Sequence, residues 1–276
     1  MIKKIVIPAA GLGTRLLPTT KEIPKEMMPL FLQDKQGGIS VKPLIQIIYE
    51  KFFCLGLREY CMIVGRQKRI IEDHFTSDQG FLKNFQKNSK YRVDLEKFYT
   101  MLNKTKLFWI NQQNPHGFGD AVMYAESFVG NDDFLVIAGD TLLPNGDKII
   151  KKLLNEKLSG KNDATLILKE VPDPRRFGVA VIDQTKNKVI VKNVEEKPKN
   201  PKSNLSIVAL YRFRPSIFDA LKEITDGKKE VQLTDGIQKL IEWGGKINAI
   251  VMDKNDVVID IGTAESYLEN ISNQNL

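Results

Sequence analysis

Arg15 and Lys25 lie in the stretch GLGTRLLPTTKEIPKEMMP, residues 11–29, which follows the apolar run IVIPA at 5–9. Glycines without a Cβ let backbone N–H groups come close to an anion. A guanidinium at 15 can fork two phosphate oxygens, and an ammonium at 25 adds a compact charge. Gly11, Gly13, Arg15 and Lys25 therefore suit a polyphosphate. A plain glycine turn with solvated basic side chains is the other reading of this loop. Two better-known phosphate loops do not fit. A dinucleotide turn needs a third glycine where Leu16 stands, and Pro18 bars the helix interior that should follow. The next strand ends MIVGRQK, without the acid that would hold a ribose. No G-x-x-x-x-G-K-[ST] string occurs either.

Two aspartates add a second chemistry. Asp140 comes just after the apolar run FLVIA, and Asp260 directly after VVI. A carboxylate at a strand end can hold Mg²⁺, which takes hard oxygen ligands and keeps several waters. Each is equally readable as a cap or turn aspartate, and the two form a metal pair only if the fold joins them. Cys54 and Cys61 lack the second pair that a zinc site needs, so both are expected to be buried free thiols. His74 is expected to pack or cap near a helix end, and His116 falls in a loop; neither is assigned catalysis.

These residues must be held by elements that the hydrophobic pattern outlines. Short apolar runs at 3–9, 58–65, 106–112 and 133–140 alternate with helical patterns at 43–56, 66–75, 117–129 and 147–158. Continuous β-branched runs between helices specify a parallel sheet covered on both faces. From 164 onward, ATLILKEV, FGVAVID, KVIVKNVEEK and LSIVALYRF read as successive strands, with a turn at DQTKNK. Helices near 215–223 and 233–243 follow, then strands KINAIVM and DVVIDIG and a helix from about Thr263. The fold class expected is α/β: a Rossmann-like doubly wound mixed sheet with a smaller β-rich extension. One domain over 1–276 is expected, with a nucleotide-binding half at 1–160 and a sugar-phosphate half at 161–276. Composition is that of a globular chain, 42% hydrophobic and 27% charged. The formal net charge is +7, but lysines are interspersed with acids and no nucleic-acid recognition motif occurs, so small polyphosphates are the expected anions. No apolar run is long enough to cross a bilayer, and MIKKIVIP lacks a signal-peptide core; a cytoplasmic location with no membrane partner is expected.

The string AAGLGTRLLPTTKEIPKEMMPL resembles the signature of the sugar-1-phosphate nucleotidylyltransferases, and its K-E-I-P-K-E-M-M-P part is most similar to bacterial-type UTP–glucose-1-phosphate uridylyltransferases. The resemblance extends over nearly the whole chain. It implies the nucleotide-diphospho-sugar transferase fold and nucleotide contacts from Ala10, Gly11, Gly13, Thr14, Arg15 and Lys25. NQQNPHGFGDAV is similar to the family's base-side segment, which gives Gln112 the base-reading amide and lets the Gly117 backbone lie against the ring. VEEKP resembles the E-K-P motif, assigning Glu196 to sugar hydroxyls and Lys197 to the sugar phosphate. RRFGVAV and NLSIVALYRF resemble segments that place Gly178 and Val208 beside the sugar, and EVQLTDGI resembles one expected at the sugar end of the cleft. The resemblance also implies that Asp140 and Asp260 together hold Mg²⁺, and that Arg15, Lys25 and Lys197 are the catalytic cations. The implied reaction joins UTP and glucose 1-phosphate into UDP-glucose and pyrophosphate in a homo-oligomer, dimer or tetramer. Alternatives are dTTP or N-acetylglucosamine 1-phosphate in the same reaction, or a non-catalytic nucleotide-sugar sensor. Two departures stand out: the insertion FLQDKQGGIS, expected as a mobile loop, and Asn111 where relatives often carry arginine.

Overall fold

A computed structural model describes residues 2–33, 38–156, 158, 162–185, 188–225 and 229–272. In chain order the first half comprises β1 (Lys4–Ala9), β2 (Pro29–Gln33), β3 (Ile39–Pro43), α1 (Leu44–Cys54), β4 (Glu59–Gly65), α2 (Arg69–His74), α3 (Gln79–Leu82) and α4 (Lys90–Leu102). It continues through β5 (Lys106–Gln112), α5 (Phe118–Met123), α6 (Glu126–Val129), β6 (Phe134–Ile137), β7 (Thr141–Leu142) and α7 (Asp147–Asn155). The second half adds β8 (Asn162–Glu170), β9 (Gly178–Gln184), β10 (Val189–Glu196), β11 (Leu205–Phe213), α8 (Ser216–Thr225), α9 (Leu233–Glu242), β12 (Lys246–Val251), β13 (Ile259–Asp260) and α10 (Ala264–Ser272). One nine-stranded mixed sheet runs β5-β4-β1-β6-β11-β8-β12-β10-β9. Strands β5, β4, β1 and β6 are parallel, and β11 reverses direction against both β6 and β8.

The continuous apolar runs have the expected cause. In β1, Ile5, Ile7 and Ala9 point into one core with α1, α4 and α7, while Val6 points into the other with α5, α8 and α9. In β6 the same alternation sends Leu135 and Ile137 one way and Phe134 and Val136 the other. A strand buried on both faces needs no polar alternation, which is why these segments read as unbroken hydrophobic runs. Their carboxyl ends all emerge on one edge, where open α/β sheets bind ligands.

Four local expectations are corrected. The insertion at 31–40 is largely a hairpin rather than a loop: Phe31 pairs with Val41 and Leu32 with Ser40, and only its tip, 34–37, lies outside the described residues. The helix expected over 117–129 divides into α5 and α6, seating Ala125 in the core at the joint. DVVIDIG keeps only two ladder residues, because β13 pairs with the two-residue β7 and not with the main sheet. Cys54 is exposed near the end of α1, whereas Cys61 is buried and its thiol is pushed up to about 12 by burial. His74 packs as expected: its ring stacks on Phe98, and its Nε2 is 2.9 Å from Gln46 Oε1. The expected turn at 183–188 lies partly outside the described residues, as does the end of the helix expected over 147–158. No described helix is long and apolar enough to cross a membrane.

Candidate active site

The loop after β1 is built from three short 3₁₀ turns, Thr14–Leu16, Thr19–Lys21 and Lys25–Met27, between which Pro18 and Pro24 stop any longer helix. Gly13 begins the first turn at φ +65°, a left-handed conformation that glycine adopts without strain. Its carbonyl accepts from the Thr20 hydroxyl at 2.7 Å and from the Leu16 N–H at 2.9 Å, closing the loop on itself. The Lys25 stem runs beside Gly11, and its ammonium pairs with Asp140.

The two aspartates are brought together. Asp260 lies opposite Thr141 in the β7–β13 ladder, and the Ile261 N–H donates to the Asp140 carbonyl at 3.1 Å. The Arg15 guanidinium reaches the same point, lying with the Asp260 carboxylate beside Gly262. Asp260 is exposed on one side, yet the surrounding protein, and then the charge of Asp140, push its carboxyl up to about 6, against the opposing fields of Lys25, Arg15 and Arg176. Burial pulls Lys25 down, but Asp140, Glu26 and Asp260 outweigh it and hold its ammonium above the ordinary lysine value. Two acids and two cations from three segments, the loop after β1, the end of β6 and β13, thus converge at the carboxyl end of β1 and β6.

Beneath Lys25 lies a pair that motif reading missed. Glu26 is 1% exposed and accepts from Lys68 Nζ at 2.9 Å; Lys68 itself is 6% exposed. Burial raises Glu26 above the usual carboxylate range despite Lys68 and Lys25. An acidic residue in a 3₁₀ turn and a lysine before α2 carry no periodic signal, so only the fold reveals their pairing. The pair ties the loop after β1 to the β4–α2 turn.

A cavity opens over this loop. Ala10, Gly11, Gly13 and Thr14 line one side, with Lys25 and Asp140 at its floor, and Gln112, Gly117 and Glu230 face them. Gln112 ends β5 and its amide nitrogen donates to the Asp120 carboxylate. Gly117, which lines this cavity, also has a packing role that the motif does not show. It adopts φ +110°, and a Cβ there would lie 2.4 Å from the Val231 carbonyl oxygen. The 230–232 backbone threads past it, with Val231 N–H donating to the His116 carbonyl at 2.7 Å and the Gly119 N–H donating to Val231 at 2.9 Å. A Gly117→Ala protein is expected to lose about 1–3 kcal/mol through backbone strain, read as a lower melting temperature; an unchanged melt would contradict this packing.

A second cavity adjoins the first and shares Phe118 and Ala138 with it. Gly178, Glu196 and Thr234 line it, and Gly178 and Glu196 face each other in the β9–β10 ladder. The Thr234 hydroxyl donates to Glu196 Oε2 at 2.8 Å, and Lys197 Nζ lies 3.1 Å from the other oxygen. Glu196 and Lys197 can share one site because β10 ends at Glu196 and Lys197 turns to φ +43°, its N–H donating to the Phe177 carbonyl. The segment 230–237 spans both cavities, with Glu230 in the first and Gln232, Leu233 and Thr234 in the second. For Val208 the expectation is corrected: its side chain lies in the opposite core with Leu210, and strand alternation presents Ile207, Ala209 and Tyr211 to the cavity instead. Exposed Arg176, not singled out by the motifs, also lines this cavity. The doubled arginine of RRFG was the one available hint.

A glycine-rich loop with two cations beside neighbouring aspartates, and two adjoining cavities, is an arrangement that can hold a nucleotide and a second polar ligand together. The chain belongs to the nucleotidyl transferase family, whose model matches residues 4–275. Among its relatives, the UTP–glucose-1-phosphate uridylyltransferase of Mycoplasma genitalium is 37% identical, over 97% of this chain and 90% of that one. A solved UDP-glucose pyrophosphorylase complexed with UDP-glucose superposes with a TM-score of 0.82 at 29% identity, covering 99% of this chain and 98% of that one. A UTP-bound enzyme of the same kind from Acinetobacter baumannii gives 0.79 at 28% identity, over 99% and 93%.

Proposed function

We propose that the protein is a UTP–glucose-1-phosphate uridylyltransferase, transferring a uridylyl group from UTP to glucose 1-phosphate with release of pyrophosphate. The observation that carries this reading is the convergence of Arg15, Lys25, Asp140 and Asp260 at the first cavity, which Lys25 and Asp140 line and which adjoins the second through Phe118 and Ala138. The similarity to uridylyltransferases over almost the full chain supports it, as does the likeness to UTP- and UDP-glucose-bound structures. The first cavity takes the nucleotide: backbone groups of Ala10, Gly11, Gly13 and Thr14 lie along its phosphates, and the Gln112 amide meets the base. The second takes the sugar phosphate, with Glu196 on its hydroxyls, Gly178 beside the ring and Lys197 on its phosphate. The nucleotide-binding half is thus 1–160 and the sugar-phosphate half 161–276, within one domain.

A sugar-phosphate oxygen attacks the α-phosphorus in line, a P–O bond forms, and the bond to the β-phosphate breaks as pyrophosphate leaves. The nucleophile is already anionic, so no side chain need act as a base. The chain's task is to hold two anions at reacting distance and oppose their charge. Lys25 leaves its pairing with Asp140 to meet the triphosphate, Arg15 stabilises the departing pyrophosphate, and Lys197 holds the attacking phosphate. Arg176 adds positive charge on the sugar side. The side-by-side carboxylates of Asp140 and Asp260 are a hard-oxygen pair suited to Mg²⁺, which would help neutralise the phosphates. The same sequence resemblance carries the expectation of a cytoplasmic homo-oligomer, dimer or tetramer.

The test is a pyrophosphate-release panel of UTP, dTTP, CTP and ATP against glucose 1-phosphate and N-acetylglucosamine 1-phosphate, with Mg²⁺. Fastest turnover with UTP and glucose 1-phosphate supports the reading. Preference for dTTP or for the acetylated sugar moves the assignment to another member of the same reaction class, and silence across the panel favours a sensor. On the sugar side, Thr234→Val removes the donor that orients Glu196. It is expected to raise KM for glucose 1-phosphate about tenfold and leave KM for UTP unmoved; equal change in both would contradict the assignment of the second cavity.

A further inference from the structure

We propose that Asp120 is a positioning residue that fixes the orientation of the Gln112 amide, so that the nucleotide cavity accepts a pyrimidine with an N3–H and rejects cytosine. This rests on the reading of Gln112 as the residue that meets the base. Gln112 is 2% exposed and ends a strand, which limits how far its side chain can swing. Its Nε2 donates to Asp120 Oδ2. A carboxylate accepts and does not donate, so the amide nitrogen, and not its oxygen, must point at Asp120. The planar amide then directs Oε1 away from Asp120. Oε1 has no hydrogen-bond partner among the described residues, yet it is not among the sealed and unpartnered side-chain atoms, which there are only Thr165 Oγ1 and Arg212 Nε. It therefore opens on the cavity that Gln112 lines.

An acceptor held at that point is selective. Uracil offers an N–H at N3, whereas cytosine offers a lone pair there, which would face Oε1 with no proton between them. The orienting group is itself anchored, since Asp120 sits in the first turn of α5 and its neighbours Gly119 and Ala121 donate to the Val231 and Gly117 carbonyls. The acidic side chains that line this cavity are Glu26, Asp140 and Glu230, and Lys25 is the cation among its lining residues. An acid in a first helical turn also complements the helix dipole. That structural role alone would affect both nucleotides equally.

The test is direct binding of UTP and of CTP to the wild-type protein and to Asp120→Asn, with turnover of each alongside glucose 1-phosphate. Asparagine keeps the shape but can donate to Oε1, letting the Gln112 amide turn over and present its nitrogen to the base. Wild type is expected to favour UTP by about tenfold or more, and the variant by about threefold or less. Asp120→Ser, which can also donate, is expected to shift the ratio the same way and serves if the asparagine variant does not fold. An unchanged UTP-to-CTP ratio in a folded variant overturns the proposal, even if both affinities fall together. Equal binding of UTP and CTP by wild type overturns it too while leaving the transferase reading standing. Failure of wild type to bind or turn over either nucleotide removes both.

Discussion

Asp140→Asn is expected to lower kcat/KM for UTP by about a hundred- to a thousandfold while the melting temperature changes little. The substitution keeps the size and most of the hydrogen bonding of the side chain but removes one of the two aspartate charges beside the first cavity. Asp140 pairs with Lys25, and its charge acts on the nearby Asp260 carboxylate. Without the charge, the remaining carboxylate is a poorer partner for a divalent cation, so activity should also require more Mg²⁺. Asp260→Asn should show the same dependence, because the β7–β13 ladder pairs Asp260 with Thr141, the residue next to Asp140. A variant within about threefold of wild type at every Mg²⁺ concentration would remove the aspartate pair from the mechanism.

Lys68→Met should destabilise the fold by about 3–5 kcal/mol, the usual cost of leaving one member of a buried ion pair uncompensated. Glu26 is almost wholly enclosed, and without Lys68 its charge would have only Lys25 nearby, an ammonium already shared with Asp140. Denaturant melts read the loss as a lower midpoint at unchanged slope. Adding Glu26→Met to Lys68→Met should recover much of the lost stability, since two apolar side chains of similar size leave no buried charge. If the single variant is as stable as wild type, the pair does not anchor the phosphate loop.

The strands that position the site were legible because burial on both faces writes itself as unbroken apolar runs, as in IVIPA and FLVI. Arg15 and Lys25 were legible because glycine and proline punctuate their loop. Asp140 and Asp260 were visible only as two strand-end acids; their adjacency depends on a two-residue ladder too short to leave any periodic pattern. The hairpin at 29–43 was hidden by its exposed apolar residues, Phe31, Ile39 and Val41, which obscure the alternation a half-buried strand normally shows. Helix α4 was hidden for another reason: its apolar residues are interleaved with charged ones, and only Phe98, Tyr99 and Leu102 of it are buried. Glu26, Lys68, Thr234 and Asp120 act on other side chains across the fold, and such pairings have no signature in a linear pattern. Val208 shows the limit of motif transfer, since a motif fixes a strand but the pleat decides which residue faces the cavity.

The most direct measurement of the central claim follows the α-phosphorus. Wild-type protein, Mg²⁺, glucose 1-phosphate and UTP labelled at its α-phosphate should give labelled UDP-glucose and unlabelled pyrophosphate in equal amounts. Unlabelled UDP-glucose, label in a released inorganic phosphate, or no product from a folded protein that binds UTP would contradict uridylyl transfer at this site.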